Sequence, residues 1–276
     1  MALLEIDNLH KRFGGNVVLD GVNFSVDGGT VHGVIGPNGA GKTTLFNIIN
    51  GIYRADGGRV VFQGRDITNR PIYRIAALGI GRTFQVARVF NEMSLLENML
   101  VPSIPMHMPR RDAERRAMEL LAVAGLDALK DQPAIEISGG QKKLPEFVRV
   151  MMIEPDLVLL DEPFNGITPA LIEQLIGIVQ QLNREHGKTF LLISHEIPHV
   201  STLCRTVTVL GAGITIARGT PAEVRENPAV IEAYRGTEHG ARSIDAGRAG
   251  RNPWRLKSRI SSPGTRRRCR SSTAST

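Results

Sequence analysis

The stretch Val31-His32-Gly33-Val34-Ile35-Gly36-Pro37-Asn38-Gly39-Ala40-Gly41-Lys42-Thr43-Thr44 decides the fold of this chain. A short apolar run rich in Val and Ile reads as a buried strand, and the helix-favouring residues from Thr44 to Asn50 read as a helix. Between them, Gly36 to Thr43 fits the pattern G-x-x-x-x-G-K-[ST]. Glycines at 36, 39 and 41 let the backbone turn tightly and aim its N–H groups at phosphate oxygens, while the helix start adds partial positive charge. In that setting Lys42 reaches the β- and γ-phosphates of a nucleotide and Thr43 holds Mg²⁺.

Two further runs, Leu157 to Leu160 and Thr189 to Ile193, have the same buried-strand character and also lead into helical segments. This alternation predicts an α/β fold with a mostly parallel central sheet. Leu3 to Val26, with a turn at Gly14-Gly15, and Arg59 to Gln63 read as antiparallel strands beside it. Residues 91–150 show no strand pattern and are predicted to be a helical insertion, with Pro102, Pro105 and Pro109 breaking its entrance. The run at 157–160 ends directly on Asp161-Glu162, placing two carboxylates at the carboxyl end of a strand, where open α/β sheets bind ligands. Asp161 is the candidate Mg²⁺ partner, directly or in the second shell, and Glu162 the candidate for polarising an attacking water.

Composition narrows the class further. The 276 residues are 42% hydrophobic and 22% charged, which excludes wholesale disorder and a collagen-like chain. Cys204 and Cys269 form no metal-binding or disulfide pattern, so a reducing compartment is expected. No run approaches the ~18 apolar residues of a membrane span, and Met1 to Asp7 lacks a basic region followed by an apolar core, so neither secretion nor membrane spanning is expected. The formal charge of +7 is unevenly distributed: residues 237–276 hold ten Lys/Arg against two acids, leaving 24 Lys/Arg against 25 acids in the first 236. A near-neutral body with a basic, Ser/Thr/Gly-rich tail does not require nucleic acid as a partner, and no nucleic-acid-binding signature is present.

Ile137-Ser138-Gly139-Gly140-Gln141 lies about twenty residues before Asp161, and with it the chain resembles the ATPase subunits of ABC transporters. The resemblance implies a P-loop (RecA-like) core with an antiparallel β subdomain and a helical subdomain at about 91–150, all within residues 1–236. It implies that Ser138, Gly139, Gly140 and Gln141 contact the γ-phosphate of ATP held by the opposite subunit. Phe13 matches the aromatic residue that stacks on adenine, Gln85 the glutamine that senses Mg²⁺ and water, and His195 the switch histidine. Singly, Phe13 also reads as core, Gln85 as a solvated polar residue and His195 as a helix cap; their order along the chain carries the assignment. Asn165 to Pro169 matches the loop that crosses the dimer interface, with Thr168 where the family usually has Asp or Asn, a departure expected to weaken coupling. Pro145 is expected about two turns into the helix after the signature, where it costs about 3 kcal/mol and kinks the helix or reduces activity.

In finer detail the chain is similar to the larger-type ATPase of branched-chain amino acid importers, through Lys11 to Gly15, Thr43 to Asn47, Gly79 to Gln85 and the ending Gly219 to Tyr234. Lipopolysaccharide-export, urea and amide-import ATPases share much of this outline, and non-transport ABC ATPases form a separate class. The resemblance implies ATP and Mg²⁺ as cofactors and Pro37, Asn38 and Ala40 as parts of the phosphate loop. It implies a head-to-tail homo- or heterodimer with a second ATPase subunit, on transmembrane permease subunits served by a periplasmic solute-binding protein. The expected location is the cytoplasmic face of a bacterial inner membrane. Residues 237–276 are expected to be disordered, either as a basic extension drawn to anionic lipid headgroups or as readthrough. Back-translated in a shifted frame, Leu256 to Thr276 can spell the opening of a second cassette.

Overall fold

The computed structural model describes residues 2–84, 88–195 and 197–240. Its first part is a long hairpin, β1 (Ala2–Phe13) and β2 (Asn16–Asp27), turned at Gly14-Gly15, followed by β3 (Val31–Ile35) and α1 (Lys42–Ile49). Next come β4 (Gly57–Phe62), β5 (Arg65–Asp66), α2 (Ile72–Ala77) and β6 (Ile80–Arg82). The insertion carries α3 (Leu95–Leu100), α4 (Arg110–Val123) and α5 (Lys143–Val150). The chain then returns through β7 (Leu157–Asp161), α6 (Pro169–His186), β8 (Thr189–Ile193) and α7 (Ile197–Leu203). It ends with β9 (Thr206–Gly211), β10 (Ile214–Gly219), α8 (Pro221–Glu226) and α9 (Pro228–Gly240).

Two sheets result. One is antiparallel, in the order β2-β1-β4-β5; the other runs β10-β9-β3-β8-β7-β6, parallel except for the edge strand β10. Strands β3, β7 and β8 are buried along their whole length, as their mostly apolar runs require of strands covered on both faces. Alternate residues go to opposite sides: Val158, Leu160, Phe190 and Leu192 pack with the helical insertion and α6, whereas Leu157, Leu159, Leu191 and Ile193 pack with α1 and the antiparallel sheet. His32 is the polar exception inside β3. Its ring stacks on Phe24 at 5.7 Å and its Nε2 lies 2.9 Å from Thr208 Oγ1.

The insertion contains no strand among its described residues, only an isolated bridge between Ser94 and Pro133. Ser94 and Glu97 form a reciprocal cap at the start of α3, so a helix precedes the prolines expected to break the insertion's entrance; they lie between α3 and α4, Pro102 in a short 3-10 turn and Pro109 immediately before α4. Pro145 corrects an expectation. The helix after the signature begins at Lys143, so Pro145 stands in its first turn, where its missing N–H has little to serve. The Gln141 carbonyl that an interior residue 145 would bond accepts the Leu144 N–H at 3.1 Å, and no kink follows from the proline. At the other end, α9 extends to Gly240, so residues 237–240 are helical although the sequence suggests disorder from 237; residues 241–276 lie outside the described part.

Candidate functional site

The phosphate loop joins β3 to α1 at the carboxyl edge of the parallel sheet. Gly36 has φ +153°, and a Cβ there would lie 2.1 Å from the Leu210 carbonyl oxygen, so no side chain fits. Gly41, at φ +95°, forms the N-cap of α1 without a side-chain cap, leaving the first N–H groups of that helix for an anion. Lys42 is buried and donates from Nζ to the carbonyls of Gly36 (2.7 Å) and Pro37 (2.9 Å). Burial holds its ammonium below the usual lysine range, opposed by the carboxylates of Glu162 and Asp161.

Asn38 through Thr44, Glu162 and His195 line one cavity of about 440 Å³. Asn16 and Val18 also line it, a pair that the sequence motifs do not mark. Glu162 follows β7 at φ +48°, a left-handed conformation in which a non-glycine residue is strained, and its N–H is fixed to the Ile193 carbonyl at 3.0 Å. Its Oε2 lies 2.8 Å from His195 Nδ1 and accepts the His195 backbone N–H at 3.3 Å. Asp161, 4% exposed, does not line this cavity and is paired through Oδ2 with Arg82 Nη2 at 2.7 Å. Hard oxygen donors in Thr43 and Asp161 suit Mg²⁺, which binds through one or two protein groups plus phosphates. Among the described residues there is no group of three or more His, Cys, Asp and Glu side chains able to hold a metal ion.

Ser138 to Gln141 form an exposed turn ahead of α5. Ser138 Oγ accepts the Gln141 N–H and Gln141 Oε1 accepts the Ser138 N–H, each at 3.2 Å, while Ile137 anchors the turn in the core. Ser138 therefore caps the turn, five residues before the first residue of α5. None of these four residues lines the cavity of its own chain.

A family model described as "ABC transporter" matches residues 19–165, and a second, described as "Branched-chain amino acid ATP-binding cassette transporter", matches residues 215–239. A probable branched-chain amino acid transport ATP-binding protein of Archaeoglobus fulgidus, LivG, is 37% identical over 250 residues, 86% of this chain and 97% of its own. This chain is an ATP-binding cassette of the ABC transporter family. The high-affinity branched-chain amino acid transport ATP-binding protein BraF of Pseudomonas aeruginosa is also 37% identical, over 85% of the cassette and 98% of its own length. Among solved structures, the ADP conformation of MJ1267, an ATP-binding cassette of an ABC transporter, aligns with a TM-score of 0.78. It is 36% identical and covers 86% of this chain and 99% of that one.

Within the cassette, Phe13 is not a core residue: it is 45% exposed at the end of β1, its ring edge-on to Tyr53 at 5.3 Å and 5.0 Å from the Lys11 ammonium. It stands outside the residues lining the cavity. Gln85 lies outside the described residues, but both sides of its stretch are held by one side chain. Glu146, on α5 and 3% exposed, accepts the N–H groups of Phe84 (3.3 Å) and Arg88 (3.1 Å). Burial pushes the Glu146 carboxyl up, against those two bonds and the nearby Arg149 and Lys143 charges. Lys143, on the same helix, donates to the carbonyls of Glu162 (3.2 Å), Pro163 (3.3 Å) and Asn165 (2.6 Å). The helix behind the signature thus ties down both loops that approach the site. Sequence reading missed these residues; an acid and a lysine three apart near a helix start resemble an ordinary solvated pair.

Proposed function

We propose that the cassette powers the uptake of branched-chain or related hydrophobic amino acids, binding ATP with Mg²⁺ at the phosphate loop and hydrolysing it. The observation that carries the nucleotide chemistry is the single cavity that Lys42, Thr43, Glu162 and His195 share. In this reading the loop amides from Gly36 to Thr43, with Thr44, cradle the phosphates, Lys42 leaves the Gly36 and Pro37 carbonyls for the β- and γ-phosphates, and Phe13 takes the adenine. Thr43, Asp161 and Gln85 would hold Mg²⁺, which would supply charge neutralisation to the phosphates. Glu162 accepts a proton from the attacking water, and His195, whose Nδ1 is 2.8 Å from the Glu162 carboxylate, keeps that carboxylate aimed and meets the transferred phosphoryl group.

The exposed turn at Ser138-Gly139-Gly140-Gln141, absent from the cavity of its own chain, supports a head-to-tail pair in which a second ATPase subunit, identical or sister, brings its signature to this nucleotide. Among the described residues no helix is long and apolar enough to cross a membrane. In this reading the cassette acts at the cytoplasmic face on transmembrane permease subunits, as the names of its relatives suggest, with a periplasmic solute-binding protein delivering the cargo. The cargo rests on the relatives' names and on the importer-type carboxyl-terminal match. Radiolabelled leucine uptake in a strain lacking the gene tests it: wild type restores uptake and Glu162→Gln does not. Restored uptake of another solute class with leucine uptake unaffected would overturn the assignment.

A further inference from the structure

Arg82, the last residue of β6, is a cation whose side chain is only 5% exposed, and its guanidinium is divided between two other elements. Nη2 donates to Asp161 Oδ2 at 2.7 Å, and Nη1 donates to Asn47 Oδ1 at 2.8 Å. The rings of Phe46 and Phe84 lie 5.9 and 5.4 Å from its Cζ, and its Nε is buried without a hydrogen-bond partner. Asn47 stands one helical turn beyond Thr43 on α1, so one planar group joins the phosphate-loop helix, the end of β7 and the strand leading toward Gln85.

Stability alone gives this arrangement little reason. A desolvated ion pair roughly breaks even against apolar residues of the same volume, and the orphaned Nε adds a cost. Position gives it a reason. Asp161 Oδ1 accepts no hydrogen bond from the described residues, so Arg82 fixes the carboxylate by one oxygen and leaves the other uncommitted. Lysine, a point charge on a flexible stem, lacks the planar fork that meets two acceptors in fixed directions.

We propose that Arg82 is a positioning residue of the nucleotide site: it orients Asp161 toward the divalent cation that accompanies ATP and, through Asn47, makes the phosphate-loop helix and β6 move as one unit. The proposal rests on the reading of Asp161 as a metal-side carboxylate.

Arg82→Lys, Arg82→Met and Asn47→Ala, made in the full chain, test it, with Asp161→Asn as control. Mn²⁺ affinity in the presence of ADP is read by electron paramagnetic resonance, ATP turnover by steady-state kinetics and folding by nucleotide-free melting. Loss of an outer-shell partner costs ~10- to 100-fold, so Arg82→Lys is expected to weaken Mn²⁺ by at least about tenfold and lower kcat similarly, with KM for ATP changed less than about twofold. Asn47→Ala is expected to give a smaller loss of the same kind, and it decides the question if the Arg82 variants do not fold. Folded variants with wild-type Mn²⁺ affinity and kcat overturn the proposal. If Asp161→Asn also binds Mn²⁺ normally, the reading of Asp161 has failed; if it loses Mn²⁺ while the others do not, only the role of Arg82 has.

Discussion

Replacement of Pro145 by alanine separates two accounts of the signature helix by the sign of one number. Were Pro145 inside the helix, alanine would restore a hydrogen bond and remove a clash, stabilising the cassette by about 3 kcal/mol. The structure places it in the first turn of α5, with the Gln141 carbonyl already bonded to Leu144 and the proline ring buried. Alanine there restores nothing and removes two buried methylenes, worth ~0.8 kcal/mol each. It also returns ~0.4–1 kcal/mol of conformational freedom to the unfolded chain. Pro145→Ala should therefore destabilise by roughly 2 kcal/mol, and at ~2–4 °C per kcal/mol for a domain of this size the melting temperature should fall by about 4–8 °C. Differential scanning calorimetry of the two proteins decides it, with ATPase turnover expected to stay within about twofold because the Ser138–Gln141 turn lies upstream. A rise in melting temperature would refute the placement of Pro145.

Burial pushes the His32 imidazole down to about 3, with the Arg218 charge a lesser cause. The unfolded chain takes up this proton below about 6.5 and the folded one does not, so stability falls as pH drops from 6.5 toward 3, by roughly 2 kcal/mol at pH 5; urea melts at pH 7.5 and 5 should show that fall in wild type and much less of it in His32→Gln. Gly41→Ala puts a Cβ 2.5 Å from Leu19 Cδ2 at φ +95°. Calorimetric titration should find ATP affinity down by more than about tenfold, with ~1–3 kcal/mol of strain visible in denaturant melts. Removal of residues 241–276, beyond the end of α9, should leave melting temperature and ATP turnover unchanged.

Most of the fold was legible because its requirements are local. The apolar runs in β7 and β8, and the one in β3 broken only by His32, announce strands covered on both faces, and Gly36 and Gly41 occur where the backbone admits no Cβ. Asp161 and Glu162 were found for the same reason, as acids at a strand end. The sequence could not tell that Asp161 faces Arg82, because that pairing depends on the parallel register of β6 on β7, Arg82 against Leu159, across 76 intervening positions. Nor could it tell that Glu146 spans Phe84 and Arg88, since a buried acid on an amphipathic helix leaves no periodic trace. Pro145 lies nearer its helix start than the spacing from the signature predicts, because Ser138 and Gln141 close a turn before α5 and delay the helix by one turn.

In the proposed cycle two cassettes bury ATP between the phosphate loop of one and the Ser138–Gln141 turn of the other, with Glu162 performing hydrolysis. Sedimentation of Glu162→Gln with ATP and Mg²⁺ tests it most directly. If a sister ATPase is the natural partner, the two are mixed. The account predicts a stable dimer that forms only with nucleotide, retains uncleaved ATP and is lost on Ser138→Arg. A variant that binds ATP yet remains monomeric, or that turns it over at the wild-type rate, would contradict it.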